Sequence, residues 1–294
     1  MITIPAKTIV SKTQSPGDWF GADYNMNIYR GCSHGCIYCD SRSDCYKNAD
    51  FATVKVKEDA FRIIRDEPRR KVRKGVISTG AMSDPYNPIE HHLHLTRNAL
   101  ELVNAFGFGV VIATKSPLVV RDIDILKDIR SHSPVTVMLT VTTLDDGLCK
   151  TVEPHVASSS ERFAALENLA AAGIFAGVLM MPILPYLNDT EENVCGILTK
   201  AKDAGAYFTY PSFGVTLRSG NREYYYEHLD RHFPGVTQHY ISNFGNRYHN
   251  ASPHAKKLWS AFKHRCEELG IFYNMRDIIS RSKMGYGDRQ LSFL

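Results

Sequence analysis

The sequence predicts an α/β fold, a partial (β/α)6 barrel carrying a C-terminal extension. Two observations lead there. Short β-branched or apolar runs alternate with longer helix-like segments through about six units, and regular βα alternation implies a parallel sheet. The 294 residues also suit one large α/β domain, or such a domain with a modest appendage. Periodicity alone leaves a doubly wound open sheet in competition, because the same alternation produces it.

Taken in order, MNIYRGC (26–32) reads as a first strand entering a Gly-rich loop, with a helix near 58–66. GVISTG (75–80) is a strand. HLTRNALELVNAF (94–106) is a helix with Leu95, Ala99, Leu100, Leu102 and Val103 near one face. FGVVIAT (108–114) is a strand, RDIDILKDIR (121–130) a helix and VTVMLTVTT (135–143) a strand. SSERFAALENLAAAG (159–173) is a helix, with a serine near its start able to cap it and Gly173 ending it. FAGVLMMPILP (175–185) is a buried strand running into a Pro-rich loop. TEENVCGILTKAKDAG (190–205) is a helix and AYFTYPSFGV (206–215) a strand. Beyond residue 220 the chain becomes rich in Tyr, His, Arg and Asn, with one clear helix at 254–270. The expected organisation is an N-terminal segment 1–20, a barrel core 21–220 and an extension 221–294 facing substrate or packed on the barrel.

Composition narrows the function. A net charge of +4 permits an anionic partner without demanding one. No apolar run approaches the roughly 18 residues of a membrane helix, and the N-terminus lacks a signal-peptide core, so the expected location is the cytoplasm, away from membranes. Of seven cysteines, three crowd into YRGCSHGCIYCDSR (29–42) as Cys32-x3-Cys36-x2-Cys39. In a reducing compartment such crowding reads as metal or redox chemistry. Three thiolates on one tight loop can ligate three irons of a [4Fe–4S] cubane and leave the fourth iron open for chemistry. Gly31 and Gly35 let the backbone wrap closely. The competing reading is a structural zinc site completed by Cys45 or His34, in a structural or nucleic-acid-binding protein without redox chemistry. A conventional methyltransferase is disfavoured by the triplet and by the absence, after the first strand, of the Gly-rich loop that such enzymes use to hold their cofactor.

The triplet, with Tyr38 before its last cysteine and a strand before its first, resembles the radical S-adenosylmethionine (SAM) superfamily. GAMSDPYNPIEHHLHLTR (80–97), IATKS (112–116), the TLDD…EP segment (143–154), SSERFAAL (159–166), PILPYLND (182–189) and RQLSFL (289–294) resemble its spore photoproduct lyase-like group, often labelled DNA repair photolyases. The resemblance implies that Cys32, Cys36 and Cys39 hold a [4Fe–4S] cluster whose open iron chelates SAM. Reductive cleavage would give methionine and a 5′-deoxyadenosyl radical, with electrons from a reductant such as flavodoxin or ferredoxin. It further implies SAM contacts by Ser83, Asp84 and Lys115, by Thr140 with Thr142 as the alternative for the ribose, and by Tyr38 near the adenine. Read without the resemblance, Ser83 and Asp84 are a cap or turn, Lys115 a solvated lysine and Thr140 a β-branched strand residue. One departure stands out. The lyase carries a hydrogen-donor cysteine just before its Thr-Ser-Asp, and here that position is Ala81.

Other stretches carry weaker signals. The basic run from Arg69 to Lys74 can touch phosphates or simply be solvated. Glu153 and Arg162 are expected to pair or to meet the methionine end of SAM. Tyr224, Tyr225, Tyr226 and Tyr240 interleave with Arg218, Arg222, Arg247 and Tyr248, a pattern that suits unpaired nucleic-acid bases and equally a Tyr-rich cap.

Overall fold

A computed structural model describes residues 2–48, 50–69 and 74–286. Most of the basic run (70–73) and the closing RQLSFL lie outside the described residues. Strands β1 (Ile2–Ile4), β2 (Val10–Lys12), β3 (Tyr24–Met26), β4 (Tyr29–Arg30) and β5 (Lys55–Lys57) open the chain. The alternating part follows: α1 (Ala60–Arg69), β6 (Val76–Thr79), α2 (Glu90–Leu93), α3 (Leu95–Ala105), β7 (Gly109–Thr114), α4 (Ile123–Arg130), β8 (Val135–Thr140), α5 (Asp146–Val152), α6 (Ser159–Ala171), β9 (Phe175–Met180), α7 (Glu191–Asp203) and β10 (Phe208–Pro211). The chain closes with β11 (Gly214–Thr216), α8 (Asn221–His232), α9 (Val236–Phe244), β12 (His249–Ala251), α10 (Ala255–Leu269) and α11 (Met275–Lys283).

Strands β3, β6, β7, β8, β9 and β10 lie side by side in chain order, all parallel, and β2 adds antiparallel to β3 at one edge. Strict chain order rules out the doubly wound alternative, which needs a reversal of strand order at a switch point. This is the partial (β/α)6 barrel of the sequence prediction. The first strand sits earlier than predicted. It ends at Met26, and Tyr29–Arg30 pairs instead with β5 in a separate sheet of order β1-β5-β4. Residues 26–32 thus serve two sheets, which a local pattern cannot reveal.

Alternation along the strands divides the side chains. Val110, Ile112, Val137, Leu139, Ala176 and Val178 join the large cluster formed with α3, α4, α6 and α7. Val76, Val111, Met138, Leu179 and Phe208 form a second cluster with Phe20 and Ile278. Gly177 makes room there, since a Cβ would stand 2.3 Å from the Phe208 carbonyl oxygen. The inner face is therefore filled with apolar side chains on one side of the sheet, while Ser78, Ala113, Thr140 and Tyr210 from the same strands line an open cavity. Local signals hold the helices. Ser158 caps α6 in a capping box with Glu161, and Gly173 follows its end at φ +76°.

Among the described residues after 220 there are four helices rather than the single one read from sequence. Strand β12 pairs antiparallel with β11, α10 packs on α7, and Phe208 bridges Phe272. Phe262 is fully buried, with Trp259 stacked on it at 5.5 Å and Phe213 edge-on at 5.9 Å between ring centroids. Phe262→Ala should therefore cost about 3–5 kcal/mol, measured by urea unfolding. A loss under about 1 kcal/mol would show that α10 does not share the barrel core.

Candidate functional site

The loop carrying the three cysteines is held by the main chain on all sides. Gly31 has φ +84°, and a Cβ there would lie 2.4 Å from the Thr53 carbonyl oxygen, so only glycine allows the segment before β5 to pass this close. Cys32 N donates to Phe51 O (2.8 Å), Ile37 N to Val152 O (3.0 Å), and His155 N to His34 O (3.1 Å). The Ser83 hydroxyl donates to Gly31 O at 2.5 Å and accepts from Asn87 Nδ2 at 3.0 Å, while Asn87 Oδ1 accepts from Ser33 N at 3.2 Å.

Cys32, Cys36, Cys39, Tyr38, Ser83, Asp84, Lys115 and Thr140 all line one open cavity of about 700 Å³. They come from four separate segments, the cysteine loop and the C-terminal ends of β6, β7 and β8. Thr142, the alternative to Thr140, is buried and does not line it. Asp84 is tied down: its carboxylate accepts from Thr114 Oγ1 (2.6 Å), Tyr86 N (2.9 Å) and Lys115 N (2.8 Å), and stands 3.5 Å from His34 Nδ1. Ser83 and Asp84 are thus braces of the turn as well as part of the cavity wall. The Gly80 turn before them is forced, with φ +101° and the Ala113 carbonyl 2.0 Å from any Cβ. Ala81 lies on the wall with its methyl exposed.

Burial sets the protonation of the loop. Burial pushes the Cys32 thiol up to about 12 and raises Cys36 and Cys39 as well, so bare thiols stay protonated and iron must displace the protons. Burial pulls the Lys115 amine down, but the charges of Cys36, Glu153 and Asp84 outweigh it and the net shift is upward. Lys115 Nζ lies 5.8 Å from the Tyr38 ring centre. Burial lowers His34 and keeps it neutral despite Asp84. Behind the loop, the Tyr38 hydroxyl donates to the buried Glu153, which is paired with the equally buried Arg162. Glu153 and Arg162 do not line the cavity, so of the two readings of this pair the structure has the ion pair.

Among the described residues no three His, Cys, Asp or Glu side chains converge as one metal ion requires. His34, one of the two fourth ligands the sequence offered for zinc, lines the cavity with its Nδ1 3.5 Å from Asp84. Cys45, offered by sequence as a fourth zinc ligand, does not line the cavity; it is exposed, and its sulfur accepts from Arg218 Nη1 at 3.4 Å. A cubane spreads its thiolates over separate irons, as three cysteines around one cavity allow.

Sequence reasoning missed the cavity's rim. Trp19, Tyr46, Tyr210 and His249 line it from four further segments, and only the fold brings them together. Of the two readings of the tyrosine stripe, its buried part follows the Tyr-rich cap. Tyr225 and Tyr240 are fully buried and share a hydrogen bond at 3.1 Å, and Arg222 donates to the carbonyls of Leu217, Asn246 and Arg247. These residues are core and scaffold. Arg247 is exposed, Tyr224 and Tyr226 are half-buried, and Arg218 lies against the Tyr248 ring at 4.3 Å, with Tyr248 45% exposed.

Comparisons with known proteins agree with this geometry. Residues 26–196 match the family model of the radical SAM superfamily. An uncharacterized protein of Methanocaldococcus jannaschii is 36% identical over 194 residues, covering 65% of this chain and 70% of that protein. An uncharacterized protein of Mycobacterium tuberculosis is 31% identical over 224 residues, covering 74% of this chain and 66% of that protein. A structure of spore photoproduct lyase complexed with dinucleoside spore photoproduct superposes with a TM-score of 0.66 at 15% identity, covering 88% of this chain and 76% of that one. A radical SAM methyltransferase of Kitasatospora setae with cobalamin and a [4Fe–4S] cluster gives 0.54 at 12% identity, covering 83% and 50%. No helix among the described residues is long and apolar enough to cross a membrane. The chain belongs to the radical SAM superfamily, whose cofactors are a [4Fe–4S] cluster and SAM, and it shares the fold of spore photoproduct lyase.

Proposed function

We propose that Cys32, Cys36 and Cys39 hold the cluster, and that the chain cleaves SAM to abstract hydrogen from a substrate presented at the cavity mouth. The observation that carries the reading is the meeting of these thiols with Lys115 and Thr140 around one 700 Å³ cavity at the strand ends. When bound and reduced, the cluster supplies the electron that splits the sulfur–C5′ bond of SAM. The chain's own residues bind, orient and exclude water. Lys115 carries the positive charge for the SAM carboxylate. Thr140, at the end of β8, offers a hydroxyl to the ribose. Tyr38 presents its ring to the adenine while its hydroxyl is held by Glu153. Ser83 and Asp84 keep the turn after β6 against Gly31 and Lys115. A reductant of the flavodoxin or ferredoxin class supplies the electron.

An unpaired nucleic-acid base is the substrate class we favour. Trp19 is 42% exposed at the rim, Tyr46 and His249 border the same mouth, and the Arg218–Tyr248 pair lies next to His249. Aromatic planes with nearby guanidinium groups stack on bases. The dinucleoside bound by the lyase is the corresponding ligand in that structure. Ala81 carries no thiol, so a substrate radical here is quenched by a route other than a thiol at this position.

Three measurements test this reading. Anaerobically reconstituted protein with dithionite and SAM should release 5′-deoxyadenosine, and Cys36→Ala should abolish the release; with a deuterated single-stranded oligonucleotide, label should pass into 5′-deoxyadenosine. Release without label transfer would keep SAM cleavage and remove nucleic acid as substrate. Lys115→Met should weaken SAM binding by roughly 10–100-fold, the worth of a lost charge-assisted bond, read by equilibrium binding to the reconstituted protein. In the apo-protein, iodoacetamide should alkylate exposed Cys45 first, with Cys32 and Cys36 reacting about tenfold more slowly and gaining rate as pH rises, followed by mass spectrometry.

A further inference from the structure

Glu153 and Arg162 form an ion pair with 0% exposure on both sides, directly behind the cysteine loop. Burying two such ions costs several kcal/mol each before their attraction is counted, and an apolar pair of equal volume commonly serves stability as well. What an apolar pair lacks is direction, and this pair is highly directional. Glu153 Oε1 accepts the Tyr38 hydroxyl, and Tyr38 stands between Cys36 and Cys39. Glu153 Oε2 accepts from Arg162 Nη2. Arg162 also donates to Ala157 O (2.9 Å from Nε), Thr140 O (2.9 Å from Nη1) and Cys149 Sγ (3.3 Å from Nη2). A continuous chain of bonds thus runs from the cysteine loop, through one carboxylate and one guanidinium, to the end of β8.

We propose that Glu153, clamped by Arg162, is a positioning residue: through the Tyr38 hydroxyl it fixes the cysteine loop in register with the Thr140 end of β8. The proposal rests on the reading that this cavity holds the cluster and SAM. Misplacement by about 1 Å can slow an aligned reaction about 100-fold while leaving binding nearly intact.

The test uses the reconstituted full-length chain with Glu153→Gln, Glu153→Asp and Tyr38→Phe. Four quantities are measured: iron and sulfide per chain, SAM affinity, cluster midpoint potential by EPR-monitored titration, and single-turnover release of 5′-deoxyadenosine. Glu153→Gln should keep its iron and bind SAM within about threefold, yet cleave it at least about tenfold more slowly. Its potential should become less negative, because removing a nearby negative charge favours the reduced cluster. Glu153→Asp should restore the potential but not the full rate, its shorter arm failing to reach Tyr38. Tyr38→Phe should slow cleavage with little change in potential, and the double variant should be no slower than Glu153→Gln alone, since both cut the same chain of bonds. An unchanged rate and potential in Glu153→Gln overturns the proposal, as does iron loss in proportion to rate, which marks a purely structural role. If Glu153→Gln does not fold, an unchanged rate in Tyr38→Phe overturns it. A wild-type protein that binds iron and releases no 5′-deoxyadenosine refutes the SAM-cleavage reading first, and this proposal falls with it.

Discussion

Six parallel strands lying side by side in chain order impose the constraint on which the site depends. Each crossover returns to the next strand in the same sense, so every strand delivers its C-terminal end to one rim. Residues 32, 84, 115 and 140 meet because each lies just beyond or at such an end. A doubly wound sheet would place helices on both faces and confine ligands to one crevice at its switch point. Here the inner face is free to hold a plug on one side, built from Phe20, Met138, Phe208 and Ile278, and a cavity on the other.

Such a rim has its own difficulty. Loops that converge on a cavity expose backbone donors and acceptors that must be satisfied. The chain answers with short polar side chains that serve twice. Ser83 and Asn87 bond the backbone at Gly31 and Ser33, and Asp84 bonds the amides of Tyr86 and Lys115. The wall is therefore stiff before any cofactor arrives. The reading of Ser83 and Asp84 as a turn and the reading of them as cavity residues are both correct, since the turn is what the cavity wall is made of.

The sequence carried the chemistry of the site more clearly than its surroundings. The Cys32-x3-Cys36-x2-Cys39 spacing and the Gly31 and Gly35 positions are local, so they were legible from residues alone. The strands β6 to β9 were equally clear, because apolar runs buried on both faces leave a continuous signal. Strand order was not legible, since periodicity does not encode which neighbour a strand chooses. The helices after residue 220 escaped because their buried faces are built from aromatic and polar residues: α8 buries Tyr225, Leu229 and Asn221, and α9 buries Tyr240, Phe244 and Thr237. The same composition made buried tyrosines look like a binding stripe. The rim residues Trp19 and His249 lie 230 residues apart, and no local pattern joins them.

The Ala81 position sharpens what remains of the chemistry. Gly80 fixes the turn whatever side chain follows, because the constraint is the Ala113 carbonyl against the glycine's missing Cβ. A thiol at residue 81 would thus find the same backbone that alanine has, and its absence is a difference of chemistry rather than of fold. Among the described residues the cavity wall has no thiol beyond Cys32, Cys36 and Cys39. Of the phenols on the wall, Tyr38 donates to Glu153 and Tyr46 to Asp40 at 3.2 Å, and Tyr210 lines it as well. In the proposed reaction no thiol of the wall outside the cysteine loop is at hand for a substrate radical. The radical's hydrogen then comes back from 5′-deoxyadenosine, from a phenol of the wall, or from a donor entering through the aromatic mouth. That places the outcome of the reaction in the substrate and the rim, while the cysteine loop and its Glu153–Arg162 support govern only how the radical is made.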